Sequence, residues 1–302
     1  MQYMGGQAVL DGVMMRGADT WAVAVRLPDG SIVSSVQPVA SWSQRYREIP
    51  VVRGVAALGE SLALGYRALA WSADRQLAAV DPSADVSTDA NEALSSRAVR
   101  ATMLTAMAFF TVVFLVAPAL AGRSLAHRLP LPFPVAEAIV RLGFFLGYLL
   151  LIGRVRDIRR VFEYHGAEHK AIAAYENGVV VAPAEAQRFT TAHLRCGTNF
   201  LLTVMVVAIV CYSAVPTTNL LVVVASRVVL LPVVAGLSYE AIRFAADNQQ
   251  RRWVRGLMRP GLALQRLTTR TPSLDQIEVA IVALRACMTD DQRAEVDARL
   301  AA

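Results

Sequence analysis

Apolar residues run almost unbroken through four stretches of the chain, 101–122, 135–153, 200–215 and 220–237. Each approaches the roughly 20 residues that a helix needs to cross a hydrocarbon layer. The pattern predicts a mainly α protein, a polytopic α-helical membrane protein of about four spans. The third stretch is the shortest and draws on Thr198, Asn199 or Pro216 at its ends. Upstream, residues 21–27 alternate apolar and polar only loosely, Pro28-Asp29-Gly30 makes a turn, and 31–36 follows as a second strand. A small β-rich N-terminal unit is therefore expected over 1–49. After Pro50, charges recur at seven-residue spacing, Arg53, Glu60, Arg67 and Asp74. One narrow polar stripe on an otherwise apolar helix results, which predicts an amphipathic, interfacial or partly inserted helix over 50–80. A soluble-type helix burying one face is the competing reading.

The remaining pattern completes the division. Residues 81–100 are expected to be a linker, being polar and acidic from 81 to 96. The four-span domain covers 101–237 with a loop at 154–197, and 238–302 forms a C-terminal helical segment. Within that segment, Ile277, Val279, Ala280, Ile281 and Leu284 predict an amphipathic helix that docks onto the cytosolic unit. No internal repeat is evident, which speaks against an inverted-repeat transporter.

Composition strengthens the membrane reading: 55% of the 302 residues are hydrophobic, and the mean hydropathy is +0.42, above the range of ordinary soluble chains. Charge supplies an orientation. Arg97 and Arg100 precede the first span, Arg154, Arg156, Arg159 and Arg160 follow the second, and Arg243, Arg251, Arg252 and Arg255 follow the fourth. The other two connections carry only Arg123 and Arg128. Basic residues stay on the cytosolic side, so the expectation is a multi-pass protein of the cell membrane with both termini and the 154–197 loop in the cytosol. Residues 1–12 lack the pattern of a signal peptide. The net charge of +6 sits beside the spans, where topology and anionic lipid account for it, and no nucleic-acid motif is present. Cys196, Cys211 and Cys287 are scattered, as in a reducing compartment.

Candidate chemistry concentrates in Phe162-Glu163-Tyr164-His165-Gly166-Ala167-Glu168-His169-Lys170. On a helix His165 and His169 lie one turn apart on one face, where two imidazoles can share a divalent metal, zinc first among candidates. The spacing is that of inverted zinc hydrolases, with Glu168 as general base toward a water that the metal polarises. Gly166 weakens the helix that this reading needs. A third ligand has two sources. Glu240 follows the fourth span and can offer a carboxylate; His193 and Cys196, spaced His-x-x-Cys, would instead close a four-ligand structural site. The same histidines also suit hydrogen bonds to carboxylates or phosphate headgroups without any metal. Gly5, Gly6, Gly12 and Gly17 lack the context of a phosphate loop and are expected at turns and close backbone approaches. Arg227, near the middle of the fourth span, needs a partner in hydrocarbon; Glu137 is one, and Glu137 with Arg141 forms a pair one turn apart.

These strings resemble the YqhQ-like family of bacterial membrane proteins, of unknown function and described as predicted metal-dependent enzymes. The resemblance runs nearly end to end. It is carried by Gly5-Gly6-Gln7-Ala8-Val9, Gly12-Val13-Met14-Met15-Arg16-Gly17, Pro50-Val51-Val52-Arg53-Gly54, and Phe162 to Lys170 continuing to Tyr175-Glu176-Asn177-Gly178. Arg195-Cys196-Gly197-Thr198-Asn199-Phe200, Ser238-Tyr239-Glu240 and the string from Leu264 to Pro272 complete it. Asp11 stands where the family pattern has Glu. The resemblance implies a cell-membrane location and a metal. Three functions follow as expectations: a metal-dependent hydrolase of a peptide or lipid-linked ester at the cytosolic face, a non-catalytic factor that assists insertion or assembly of membrane-protein partners, and an anion channel or carrier built on Arg227.

Overall fold

The loose alternation of the N-terminal segment has a structural cause: both faces of its sheet are covered. The computed structural model describes residues 4–39, 41–81, 97–193, 196–215, 219–248 and 250–301. Four strands, β1 (Gly5–Val9), β2 (Gly12–Arg16), β3 (Thr20–Arg26) and β4 (Ile32–Pro38), form an antiparallel meander in the order β1-β2-β3-β4. The expected hairpin is β3 with β4, paired from Thr20 opposite Pro38 to Arg26 opposite Ile32. Gly5, Gly6 and Gly12 lie within strands and not in turns; the β1–β2 turn is Leu10-Asp11, with Asp11 at φ 52°. Asp tolerates that left-handed conformation better than most side chains, and its carboxylate pairs with Arg160.

The helices follow as α1 (Val52–Val80), α2 (Arg97–Phe110), α3 (Ala117–Arg128), α4 (Phe133–Ile152), α5 (Arg156–Glu176), α6 (Pro183–Ala186), α7 (Gly197–Ser213), α8 (Leu220–Val229), α9 (Leu231–Asp247), α10 (Arg252–Thr268), α11 (Leu274–Ala286) and α12 (Asp290–Ala301). Helix α1 covers one sheet face, packing Leu64, Ala68 and Trp71 on Met14, Trp21, Val23 and Val25. Helices α5 and α11 cover the other, where Tyr164, Ala167, Ile277 and Ala280 meet Val13, Met15, Ala22 and Ala24. The two sets alternate along each strand, as a period of two requires. Thus the N-terminal stretch, the 154–197 loop and the C-terminal stretch share one core. Helix α11 starts at a Ser273/Gln276 capping box, and all five of its expected apolar positions are buried.

The stripe on α1 faces protein. Glu60 is buried, pairs with Arg16 and accepts from the Ser43 amide at 3.0 Å; Arg53 pairs with Glu240 of α9. What α1 exposes is an apolar row, Val55, Leu62, Leu69 and Leu77. The linker expected over 81–100 lies, from 82 to 96, outside the described residues.

Of the four expected spans, the described residues support two to three by length and composition. Among the described residues two helices are long and apolar enough to cross a membrane, Leu104–Arg128 and Phe133–Ile152, or up to three if the bent pair Leu221–Val229 and Leu231–Asp247 is one span. Helix α7, at 17 residues, is shorter than a full span. The bend of 47° follows from Pro232 in the first turn of α9, which lacks an amide to donate to the preceding turn. Another proline shapes the first span. Pro118 lacks the N–H that would bond the Phe114 carbonyl, the helix widens into a π-turn over Thr111–Val116, and Arg141 donates to that carbonyl at 2.8 Å. The same Arg141 pairs with Glu137, which also receives both Nε (2.8 Å) and Nη2 of Arg227. All three side chains are buried between helices, so the partner that Arg227 requires is the one its sequence position suggests.

Candidate metal centre

Helix α5 holds its course through Gly166 because the glycine is needed for packing. A Cβ there would lie 2.1 Å from the Arg270 carbonyl oxygen, and the Arg270 amide donates to the Phe162 carbonyl at 2.9 Å. The segment after α10 is thereby laid against α5, which aims His165, Glu168 and His169 inward.

Backbone carbonyls fix both imidazoles. His165 Nδ1 lies 2.9 Å from the Thr268 carbonyl oxygen, and His169 Nδ1 lies 2.5 Å from that of Thr191. A carbonyl oxygen only accepts, so each Nδ1 carries the proton and each Nε2 offers its lone pair. This outer-shell arrangement is the one that orients metal-binding histidines. The rings stand edge to face with centroids 4.5 Å apart. Cys196, the N-cap of α7, accepts from the Thr198 amide at 3.4 Å and brings its Sγ to 3.3 Å from His165 Nε2. Ligand atoms of His165, His169 and Cys196 all lie within 4.8 Å of one another.

Glu168 completes the cavity, of about 120 Å³, that these residues line with His193 and Gly6. Its Oε2 is buried without a hydrogen-bond partner, and burial pushes its carboxyl above the usual range against the pull of His165 and His193. Gly6 leaves room for it, since a Cβ there would meet the Glu168 Cγ at 3.0 Å. Lys170 anchors the next turn by donating to the Gln187 carbonyl at 2.6 Å and to that of Phe189.

The other expected ligands separate. His193 lies near, its ring centroid 5.4 Å from that of His169, but its Nε2 faces Glu176 at 3.6 Å. Its backbone is clamped by the Gln265 side chain, which accepts from the His193 amide at 2.9 Å and donates to its carbonyl at 2.7 Å. Glu240 is not brought to the histidines. It accepts from Arg53 Nε at 2.7 Å and from the Val51 amide at 3.2 Å, and Arg53 holds its carboxyl below the usual range. Sequence reasoning missed Thr191, Thr268, Gln265 and Gly6. Thr268, Gln265 and Gly6 fall in the strings 264–272 and 5–9 that carry the family resemblance, so the signal was present without an assigned role.

Fold and site together define a class: a mainly helical protein with, among the described residues, two to three apolar helices long enough to cross a membrane, an N-terminal antiparallel sheet, and a buried His/Cys cluster between α5 and α7. The chain belongs to the DUF1385 family, described as "Protein of unknown function", whose model matches residues 49–290. It is 34% identical over 286 residues to the "Uncharacterized protein YqhQ" of Bacillus subtilis (strain 168), an alignment covering 92% of this chain and 89% of that protein. No solved structure matches the chain significantly.

Proposed function

We propose that this protein is a membrane-embedded, metal-dependent hydrolase with zinc held by His165, His169 and Cys196. The observation that carries the reading is the unpartnered, buried carboxylate oxygen of Glu168 in the cavity that those three line. A buried polar atom without a partner is costly unless something else meets it there. The donor set fits the ion: two imidazole nitrogens and a thiolate suit zinc, and three protein ligands leave the open position of a catalytic site, whereas His193, turned to Glu176, does not close it. When bound, the ion supplies Lewis acidity toward water and a substrate carbonyl. Glu168 accepts the proton of the attacking water and returns it to the leaving group. The carbonyls of Thr191 and Thr268 hold both histidines in the productive tautomer. The substrate is a peptide or a lipid-linked ester reached at the cytosolic face.

The membrane placement rests on the apolar side chains that the helices expose, among them Leu104, Met107, Ile139, Leu151, Val210 and Leu221, a surface far larger than a soluble monomer presents. With the arginine asymmetry, it supports a polytopic cell-membrane protein with both termini in the cytosol. The exposed row on α1 favours a second reading, a non-catalytic factor that contacts other membrane proteins there.

Elemental analysis of detergent-purified protein tests the premise. Near-stoichiometric zinc is expected in the wild type and in Glu168→Gln, with loss in the His165→Ala, His169→Ala double variant. Glu168→Gln should lower turnover of an identified ester or peptide by roughly 100-fold or more. Zinc-free wild type after supplementation rejects the reading, and so does undiminished activity of Glu168→Gln.

A further inference from the structure

The Arg227–Glu137–Arg141 cluster leaves one net positive charge inside the helices, and that charge borders an apolar cavity. Arg227 is fully buried, and Arg141 and Glu137 are 7% and 3% exposed. Two guanidinium groups share one carboxylate, and among the described residues no second acid pairs with either. The Tyr212 ring lies against both, with guanidinium carbons 4.3 and 5.2 Å from its centroid, and its hydroxyl donates to the Arg227 carbonyl. Aromatic faces soften the cost of the charge without cancelling it. Arg141 has used two of its five N–H donors, on the Phe114 carbonyl and on Glu137.

Among the described residues Arg141 is the only charged one lining a cavity of about 390 Å³, otherwise walled by Phe109, Phe114, Tyr148, Met205 and Ala208 among other apolar and aromatic groups. The size is that of a pocket for one small ligand. Pro118 makes the meeting possible, because it leaves free the carbonyl that fixes Arg141, and the Phe114 ring there stands edge-on to Tyr148, centroids 5.2 Å apart. The cavity follows α7 from Tyr212 back to Leu201, five residues past Cys196.

We propose that this cavity binds a single-chain amphiphile with an acidic head, a long-chain fatty acid anion, its carboxylate on Arg141 and its chain along α7 toward the Cys196 end. The carboxylate supplies the missing negative charge through charge-assisted hydrogen bonds to the free guanidinium donors, and the chain displaces water from apolar walls. The site stands whether or not His165, His169 and Cys196 hold a metal.

The test uses full-length protein in nanodiscs of zwitterionic phosphatidylcholine, with tritiated palmitate and tritiated hexadecanol as probes. Palmitate is expected to bind saturably with one site per chain, and hexadecanol, which has the same chain without the charge, roughly tenfold or more weakly. Arg141→Gln should weaken palmitate by a similar factor while leaving Glu137 paired with Arg227. Met205→Trp fills the cavity without touching the charges and should abolish binding; should Arg141→Gln fail to fold, this variant and hexadecanol decide. Equal binding of the two probes, palmitate retained by a folded Met205→Trp, or no saturable site overturns the proposal. Zinc content read in the same samples keeps its failure separate from that of the metal reading.

Discussion

Glu60 shows what a single charged residue does when it turns inward. Burial pushes its carboxyl upward, but bonds from Ser43 and Arg16 pull harder, and it ends below the usual glutamate range. A lowered native value means that the stabilisation is present above the ordinary glutamate range and is lost as pH falls through the native one. Glu60→Gln should therefore cost about 1–3 kcal/mol at pH 7, discounted for the partial exposure of Arg16. Melting curves of the two proteins should converge on acidification below about pH 4; a constant gap between them contradicts the pairing. Gly166 makes the converse case, where a missing side chain matters. Its neighbour is a backbone oxygen that no rotamer change can move, so Gly166→Ala must part α5 from the 268–270 segment and release His165 from the Thr268 carbonyl. A loss of about 1–3 kcal/mol with lowered zinc occupancy is expected, against no effect from Gly147→Ala, where nothing lies within 4 Å.

Between elements, the salt link of Arg53 to Glu240 ties the start of α1 to α9, and Gly54 permits the contact by leaving no Cβ against Tyr239. The carboxylate that looked available for a metal is thus a strut. Glu240→Gln should lower thermal stability but leave zinc content unchanged; zinc lost from a folded Glu240→Gln protein would restore it as a ligand. Sequence position alone could not separate the two roles, because Arg53 lies 187 residues away and only the fold closes that distance. Features with local signatures were legible: the β3–β4 hairpin from Pro28-Asp29-Gly30, α11 from its apolar periodicity, and the histidine pair from i,i+4 spacing. Strands β1 and β2 were obscured because glycines suit turns and close backbone approaches alike, and Gly6 and Gly12 serve the second use inside strands. The fourth stretch is met by a bent helix pair, since hydropathy sums across Pro232 without registering the bend. The carbonyls of Thr191 and Thr268 carry no residue-type signal at all, since any residue has a carbonyl.

For the whole molecule, the helix ends sort themselves by side. The α3–α4 connection and the end of α7 lie at the Arg227–Glu137 end, whereas the end of α4 and the start of α7 adjoin the sheet, α5 and the His/Cys cluster. Arg154, Arg156, Arg159 and Arg160 stand on the sheet side, whereas the α3–α4 side carries Arg123 and Arg128 outside the buried cluster, so the proposed orientation, by retention of positive charge, puts the sheet side in the cytosol. Leu129 and Trp42 are exposed reporters of the two sides, 47% and 50% accessible. With the native cysteines replaced by serine, Leu129→Cys should react with a membrane-impermeant maleimide in intact cells, and Trp42→Cys only after permeabilisation. The reverse pattern would invert the protein and move the candidate metal centre out of the cytosol. Labelling of both in intact cells would mean that the apolar helices do not carry the chain across the bilayer, and their exposed side chains would then need a protein partner to cover them.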